Sequence, residues 1–492
     1  MQNRGPKNSR EECQGVVNTV PHFSRCAAKK LRRTSPECAC VYFLCVCAAL
    51  RSNDLEASVA VTRAAEPTHW GRRGWLLLAV FITYSLAYLD RANYGFGAAA
   101  GMAQTLGITG SKNSLLGALF FLGYFFFQVP GMVAARRFSC TRIVAISLFV
   151  WGALAALTGV LRIFWMLAVD RFLLGVAESI IFPALLLLLT RWFTRSDRSR
   201  ANVLLMLGNP VTVLWMSAIT GFLIERFGWQ RTFILEGAPS IAWAVIWMLF
   251  VHDHPTEARW LPADEAQRVT AKLAVEQREL PASAHASTQT LRAALLRKDV
   301  IVLSIQYFCW SFGIYGFILW LPAIVREGAS LNMGRAGLMA AAPYLLAIAA
   351  ELITGHLSDR AQRRRRYVWP PLLIAGIALM GSFLLQPHGF LWSYLCLLIA
   401  CGGMYAPYGP FFAIMPERIP QNRVGEVMAL VNSVGALGSF AGVLIIGSLR
   451  TITHSDGPGY LLMSLFLVIS ALLIIWLPNP PQTDPLKEPA HA

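Results

Sequence analysis

From Trp75 onward the chain alternates long apolar runs with short polar breaks. The runs lie at about 75–97, 112–135, 142–161, 163–190, 201–224, 232–251, 300–325, 335–357, 367–386, 390–414, 425–449 and 458–477. Each is near the ~20 residues that cross a ~30 Å hydrocarbon core at ~1.5 Å per residue. Lipid gives the backbone no hydrogen-bond partner, so each run is expected to be a helix. The pattern predicts an all-α membrane protein with twelve transmembrane helices. The longest break, 252–299, separates six spans from six and implies two pseudo-symmetric six-helix bundles, 75–251 and 300–477. It is charged and ends in Leu291–Lys298, which reads as an amphipathic helix on the membrane surface. Residues 478–492 form a polar tail.

Residues 1–74 break the pattern. They carry 12 Lys+Arg, 6 Asp+Glu and six of the ten cysteines. Their apolar run, Cys38 to Leu50, is too short to span a bilayer as a helix and starts too late for a signal peptide. A disordered extension, or an over-long start to the reading frame, is the expectation.

Composition supports a membrane chain. It is 55% hydrophobic and 14% charged, with mean hydropathy +0.50, whereas soluble proteins carry about 25% charged residues. The net charge is +16, but the basic residues cluster between apolar runs, so no nucleic-acid partner is expected. The breaks after spans 2, 4, 6, 8 and 10, with their flanking residues, hold 21 Lys+Arg against 7 in the others. That bias predicts both termini in the cytoplasm. Cys13, Cys26, Cys38, Cys40, Cys45 and Cys47, like Cys140, Cys309, Cys396 and Cys401, have no zinc-site or paired disulfide spacing, so no metal is expected. No phosphate-binding loop or catalytic constellation is present, which argues against an enzyme and for no cofactor.

Ionisable residues inside spans cost roughly 2.5–3.5 kcal/mol each on insertion scales, so those present are functional candidates. The clearest are Asp90 and Arg91 in span 1, and Arg171 and Glu178 in span 4. Asp90 lies ~22 Å along its span and Arg171 ~12 Å along an opposed one, which brings them to similar depth. An Asp90–Arg171 pair is expected. Arg171 and Glu178 share a helix face, which leaves Glu178 deeper, towards Arg91 or a proton path. A second, adjacent cation needs its own anion, so the slot beside Arg91 is expected to be empty and filled by a carboxylate ligand. In span 8, Glu351 shares a face with Gly355 and Asp359 and is read as part of a gate network. Glu236 reads as an outer-end hydrogen-bonding residue. Of the span-7 aromatics Tyr307, Trp310, Tyr315 and Trp320, Tyr315 is the candidate for the cavity. Arg363–Arg366 reads as an anchor to anionic lipid.

The two halves carry related loops. Gly131-Met-Val-Ala-Ala-Arg-Arg-Phe-Ser-Cys-Thr-Arg142 follows span 2, and Gly355-His-Leu-Ser-Asp-Arg-Ala-Gln-Arg-Arg-Arg-Arg366 follows span 8. With the 6+6 plan, this resembles the major facilitator superfamily, whose cytoplasmic gate motif the second copy matches through Gly355, Asp359 and Arg360. The first copy departs from it at Ala135 and Ser139, which implies a weaker latch there. Wider segments resemble the anion:cation symporter branch. They are Tyr88-Leu-Asp-Arg-Ala-Asn93, Phe121-Leu-Gly-Tyr-Phe-Phe-Phe-Gln-Val-Pro130, Arg171-Phe-Leu-Leu-Gly-Val-Ala-Glu178 with Phe182-Pro183, Gly228-Trp229 through Glu236-Gly237, Trp320-Leu-Pro322 and Asn432-Ser-Val-Gly-Ala-Leu-Gly438.

That resemblance implies proton-coupled import of an organic anion across a bacterial inner membrane by a monomer. It puts proton coupling on Asp90 and Glu178, with Arg171 sensing Asp90. It puts the substrate carboxylate on Arg91 and the substrate hydroxyls on Tyr88, Tyr124, Asn209 and Asn432. Tyr405-Ala-Pro-Tyr-Gly-Pro-Phe-Phe412 with Asn432 is similar to transporters of gluconate-type acids such as 2-ketogluconate. Aromatic or dicarboxylic acids of phthalate or tartrate type, and a membrane sensor that does not translocate, are the other readings.

Overall fold

The computed structural model describes residues 73–278, 293, 295–361, 363–419 and 423–477. Nearly all of residues 1–74, most of Leu291–Lys298 before Leu295, and the tail 478–492 lie outside these residues, as do the six N-terminal cysteines.

The described residues are helical, with no strand among them. Twelve membrane helices follow the predicted spans. They are α1 Gly74–Ala99, α2 Gly110–Arg137, α3 Cys140–Thr158, α4 Phe164–Ser179 continued by Ile181–Trp192, and α5 and α6 within Arg195–Phe250. The second six are α7 Lys298–Gly328, α8 Met333–Ala361, α9 Trp369–Leu384, α10 Phe390–Tyr405 continued by Tyr408–Arg418, α11 Val424–Thr453 and α12 Gly457–Trp476. Odd-numbered breaks gather at one end, and even-numbered breaks, rich in Lys and Arg, at the other, which we term the basic end.

The sequence predicts a loop between spans 5 and 6, but the helix runs through it. Fifty-six residues would reach ~84 Å as one rod, more than twice the hydrocarbon thickness. The chain turns back at Gly228, whose φ of 78° and ψ of 162° suit glycine alone, so residues 195–227 form α5 and 229–250 form α6. The α10 break at Ala406–Pro407 has a simple cause: proline lacks the amide that would continue the ladder.

Helix α1 packs on the α5–α6 hairpin and on α7, α2 on α4 and α11, and α5 on α8. In the second bundle α9 packs on α10 and α12, and α7 on α11 and α12. The α2–α4 crossing sets the site. A Cβ on Gly123 would lie 2.1 Å from the Phe172 carbonyl oxygen, and one on Gly175 would lie 1.9 Å from that of Phe120. Only paired glycines allow this approach, which brings Phe120 and Tyr124 beside the charged face of α4.

Of the five exposed tryptophans among the described residues, four mark the two ends. Trp75 opens α1 and Trp476 closes α12 at the basic end, while Trp165 opens α4 and Trp392 lies in the first turn of α10 at the other. Indoles in such positions sit at headgroup level.

At the basic end Asp253, just beyond α6, clasps the start of α3. Its Oδ1 accepts from the Thr141 amide (2.9 Å) and hydroxyl (3.1 Å), with Arg191 Nη1 3.6 Å away. Ser139 Oγ accepts from the Arg142 amide and caps the same helix, 3.2 Å away. Burial pushes the Asp253 carboxyl up, but hydrogen bonds from Ser139 and Thr141 and the charge of Arg191 outweigh it and hold the group below its usual value. Its stabilisation is therefore complete above the unfolded value of about 3.9 and fades as pH falls through the lower folded value. Asp253→Asn should cost about 1 kcal/mol at pH 7. Thermal unfolding in detergent should show that deficit at neutral pH and a shrinking one below about pH 4.

Candidate functional site

Helix α1 is buried from Thr83 to Gly97. Tyr84, Tyr88 and Arg91 share one face and line a central cavity between the bundles. Phe120, Phe121 and Tyr124 of α2, Phe182 of α4 and Met206 of α5 complete the first bundle's wall. Tyr307, Ser311 and Tyr315 of α7, Tyr408 and Phe412 of α10, and Asn432, Gly435, Ala436 and Ser439 of α11 form the other. Arg91 is the single charged residue among these lining residues.

The expected empty slot at Arg91 is partly filled. Its Nε donates to Glu178 Oε2 at 2.8 Å, and both side chains are buried. This corrects the expectation of a guanidinium without a counter-ion of its own. The glycine crossing of α2 and α4 presents Glu178 to α1, and a buried cation at that range holds it. The pairing uses one edge. Arg91 Nη2 and Glu178 Oε1 are buried without hydrogen-bond partners. The guanidinium carbon lies 4.8 Å from the Tyr88 ring centre, 4.7 Å from that of Tyr124 and 5.7 Å from that of Phe120. Three aromatic faces thus fix the cation's orientation.

The Asp90–Arg171 pair is not formed. Among the described residues no carboxylate comes within 4.0 Å of Arg171, which instead lies over the rings of Tyr94 (4.7 Å) and Phe120 (5.6 Å). Asp90 is 1% exposed and neither carboxyl oxygen has a hydrogen-bond partner. Adjacent helical residues point ~100° apart, so Arg91 faces the cavity while Asp90 turns away from it. An ionised carboxylate in such a place is costly, and the geometry fits a neutral Asp90.

Asn209 also departs from expectation. It is absent from the cavity lining, and its Oδ1 accepts from the Tyr405 hydroxyl of α10 at 3.2 Å. Tyr88, Tyr124, Tyr315 and Asn432 do line the cavity, and the Tyr88 and Tyr315 hydroxyls lie 3.4 Å apart across the two bundles. Of the other α7 aromatics, Tyr307 lines the cavity too. Trp310 is packed, with its Nε1 donating to the Met404 carbonyl at 3.0 Å. Trp320 faces a separate cavity at the end opposite the basic one, with Arg450 5.2 Å from its ring centre.

At the basic end Arg364 bridges Asp359 and Glu417, with its Nε 2.9 Å from Glu417 Oε1 and its Nη1 3.2 Å from Ser358 Oγ. The run expected to anchor lipid therefore supplies the partner of the gate aspartate. Arg365 likewise donates to the Ile474 carbonyl at 3.1 Å, at the end of α12. Gly355 comes against Gly409 of α10, whose Cβ would lie 3.8 Å from the Gly355 Cα. Arg360 is exposed. Glu351 is buried with Oε2 unpartnered and is not bonded to Asp359 in this structure.

The hydrogen bonding expected of Glu236 is formed, one turn above Asp90. Glu236 Oε2 accepts from Asn93 Nδ2 at 3.1 Å, and its Oε1 accepts from the Thr220 hydroxyl, which ties α1, α5 and α6. No cluster of three or more metal-ligating side chains occurs among the described residues.

The family described as the Major Facilitator Superfamily matches residues 80–443. The chain belongs to that superfamily. It is 29% identical over 404 residues to a "Putative tartrate transporter" of Agrobacterium vitis, covering 81% of this chain and 88% of that one. It is 27% identical over 301 residues to a "Probable sulfoacetate transporter SauU" of Cupriavidus necator, covering 59% and 66%. The xylose transporter XylE from E. coli, in a partially occluded inward open conformation, shares the fold with a TM-score of 0.63 at 13% identity, covering 82% of this chain and 98% of that one. As a major facilitator protein the chain is a membrane transporter and not an enzyme.

Proposed function

We propose that the chain imports an organic anion with a single carboxylate by proton symport, with the basic end in the cytoplasm. The observation that carries this reading is the free edge of Arg91, which among the described residues is the only charged group lining the cavity and whose other edge is held by Glu178. A proton on Glu178 ends its hold and leaves the guanidinium to pair bidentately with the substrate carboxylate. Asp90 carries a proton in the same step, and its loss lets Arg171 swing to it. The bundles then rock about the central site. The Arg364–Asp359 contact belongs to the gate at the cytoplasmic face, with Gly355, Arg360 and Glu351.

A sugar acid, an aldonate or keto-aldonate, is the leading substrate. The hydroxyls of Tyr88, Tyr124, Tyr315, Ser311 and Ser439 and the amide of Asn432 suit its hydroxyl groups. The rings of Tyr84, Phe121, Phe182, Tyr408 and Phe412 in the same wall favour a second reading, a flat aromatic acid. Relatives bear the names of tartrate and sulfoacetate transporters, but a dianion would leave one charge here without a facing cation.

Uptake by proteoliposomes with an acidic exterior tests these readings against aldonates, keto-aldonates, aromatic acids and tartrate. Aldonate or keto-aldonate accumulation that collapses with the pH gradient is expected. Flux of aromatic acids alone would select the second reading. Binding without flux of any acid would make the protein a sensor.

A further inference from the structure

Helix α5 crosses α8 of the other bundle backbone to backbone at the end opposite the basic one. A Cβ on Gly337 would lie 2.4 Å from the Ser217 carbonyl oxygen, and one on Gly221 2.7 Å from that of Met333. Beyond this crossing Glu225 reaches the start of α8. Its Oε2 accepts from the Gly334 amide at 2.8 Å, and its Oε1 from Asn332 Nδ2 at 2.9 Å. Asn332 is itself the helix cap, its Oδ1 accepting from the Arg335 amide at 3.0 Å. The first amides of a helix lack partners within it and carry partial positive charge, so a carboxylate from another element satisfies them well. Here the helix and the carboxylate belong to different bundles, and Glu225 is exposed to solvent.

The fit is specific. A Cβ on Gly334 would lie 2.2 Å from Glu225 Oε2, so any larger residue displaces the carboxylate. A second contact from α5 to the other bundle, Asn209 to Tyr405, lies 16 residues earlier, ~24 Å back along the helix at the level of the central cavity. The two contacts therefore load a tilting motion differently. Separation of the bundles at the far end must break the Glu225 contact, whereas the Tyr405 contact sits near the pivot.

We propose that Glu225, by capping α8 from the opposite bundle, is a latch that, beside the contact of Arg326 with the Ala99 carbonyl, holds the end away from the basic loops shut. Its release is required each time that end opens. The proposal rests on the reading that the bundles alternate, but not on which acid is carried or on proton coupling. Glu225 acts as a positioning residue that sets the balance of states and does not touch substrate.

Distances between noncanonical spin labels at Arg162 and His388, exposed positions of the two bundles at that end, test it on the full chain in lipid nanodiscs without substrate or gradient. Glu225→Gln should raise the ratio of open to closed distances about tenfold, the scale of one charge-assisted hydrogen bond. Gly334→Ala, made on the other bundle and favourable to helix propensity, should open the same end to a similar extent. The double variant should go little further, because both break one contact. Tyr405→Phe should leave the distance unchanged. Unaltered distances in Glu225→Gln and Gly334→Ala would overturn the latch. So would an equal opening in Tyr405→Phe, which would show that loosening any contact between the bundles suffices. Failure of the acid panel, by contrast, bears on the substrate and leaves these distances as they are.

Discussion

Arg91→Ala is expected to abolish substrate binding, with a loss of about a hundredfold or more, and uptake with it. Truncating one partner of a buried, hydrogen-bonded charge pair costs about 2–5 kcal/mol. Among the described residues no other cation lines the cavity to take over. Arg91→Lys should recover only part of the affinity, since an ammonium cannot present a planar fork to the carboxylate, whether that of Glu178 or of the substrate. The single variant leaves Glu178 buried and alone, so Arg91→Ala/Glu178→Gln serves as the folding control. Titration calorimetry with the best acid from the uptake panel checks both substitutions. Wild-type affinity in Arg91→Ala would dismiss the anion site.

The second large effect is expected from the acids. Glu178→Gln should bind substrate with an affinity that no longer varies with pH, because nothing ionisable then competes for Arg91. It should still exchange labelled for unlabelled substrate, yet fail to accumulate it against a gradient. Asp90→Asn should separate exchange from accumulation in the same way. Asp90 makes no hydrogen bond of normal geometry, and an amide oxygen can face the neighbouring Trp151 indole as a carboxyl oxygen does, so the folded protein should be retained. Accumulation and counterflow assays at two external pH values distinguish loss of coupling from loss of binding. Persistent pH-driven accumulation in both variants would exclude these residues from the proton path.

The spans were legible because lipid imposes a length and a polarity on every helix, and twelve runs met both. Rotation about the helix axes was not. Met206 lines the cavity while Asn209, three residues on and ~60° away in phase, turns to Tyr405. The same limit applies to Asp90 and Arg171. Matching depths suggested a pair, but the Tyr94 and Phe120 rings occupy the space next to the guanidinium. Spacing left Glu178 two directions, Arg91 or a proton path, and the choice between them follows the close α2–α4 approach at Gly123 and Gly175, which spacing does not encode. Arg364 was hidden in a run of four arginines whose bulk property, positive charge near lipid, is the same for each. The Glu225 latch had no local signal at all, since its partners lie more than a hundred residues away.

The four exposed indoles at helix ends are shared evenly, so that each bundle has one at each membrane face. Neither bundle can then lean without moving an interfacial side chain away from the headgroups on one leaflet or the other. Acyl-chain length becomes a mechanical load on turnover. Bilayers thinner or thicker than the tryptophan-to-tryptophan height favour whichever tilt relieves the mismatch, and they set the resting posture of the carrier before any solute arrives.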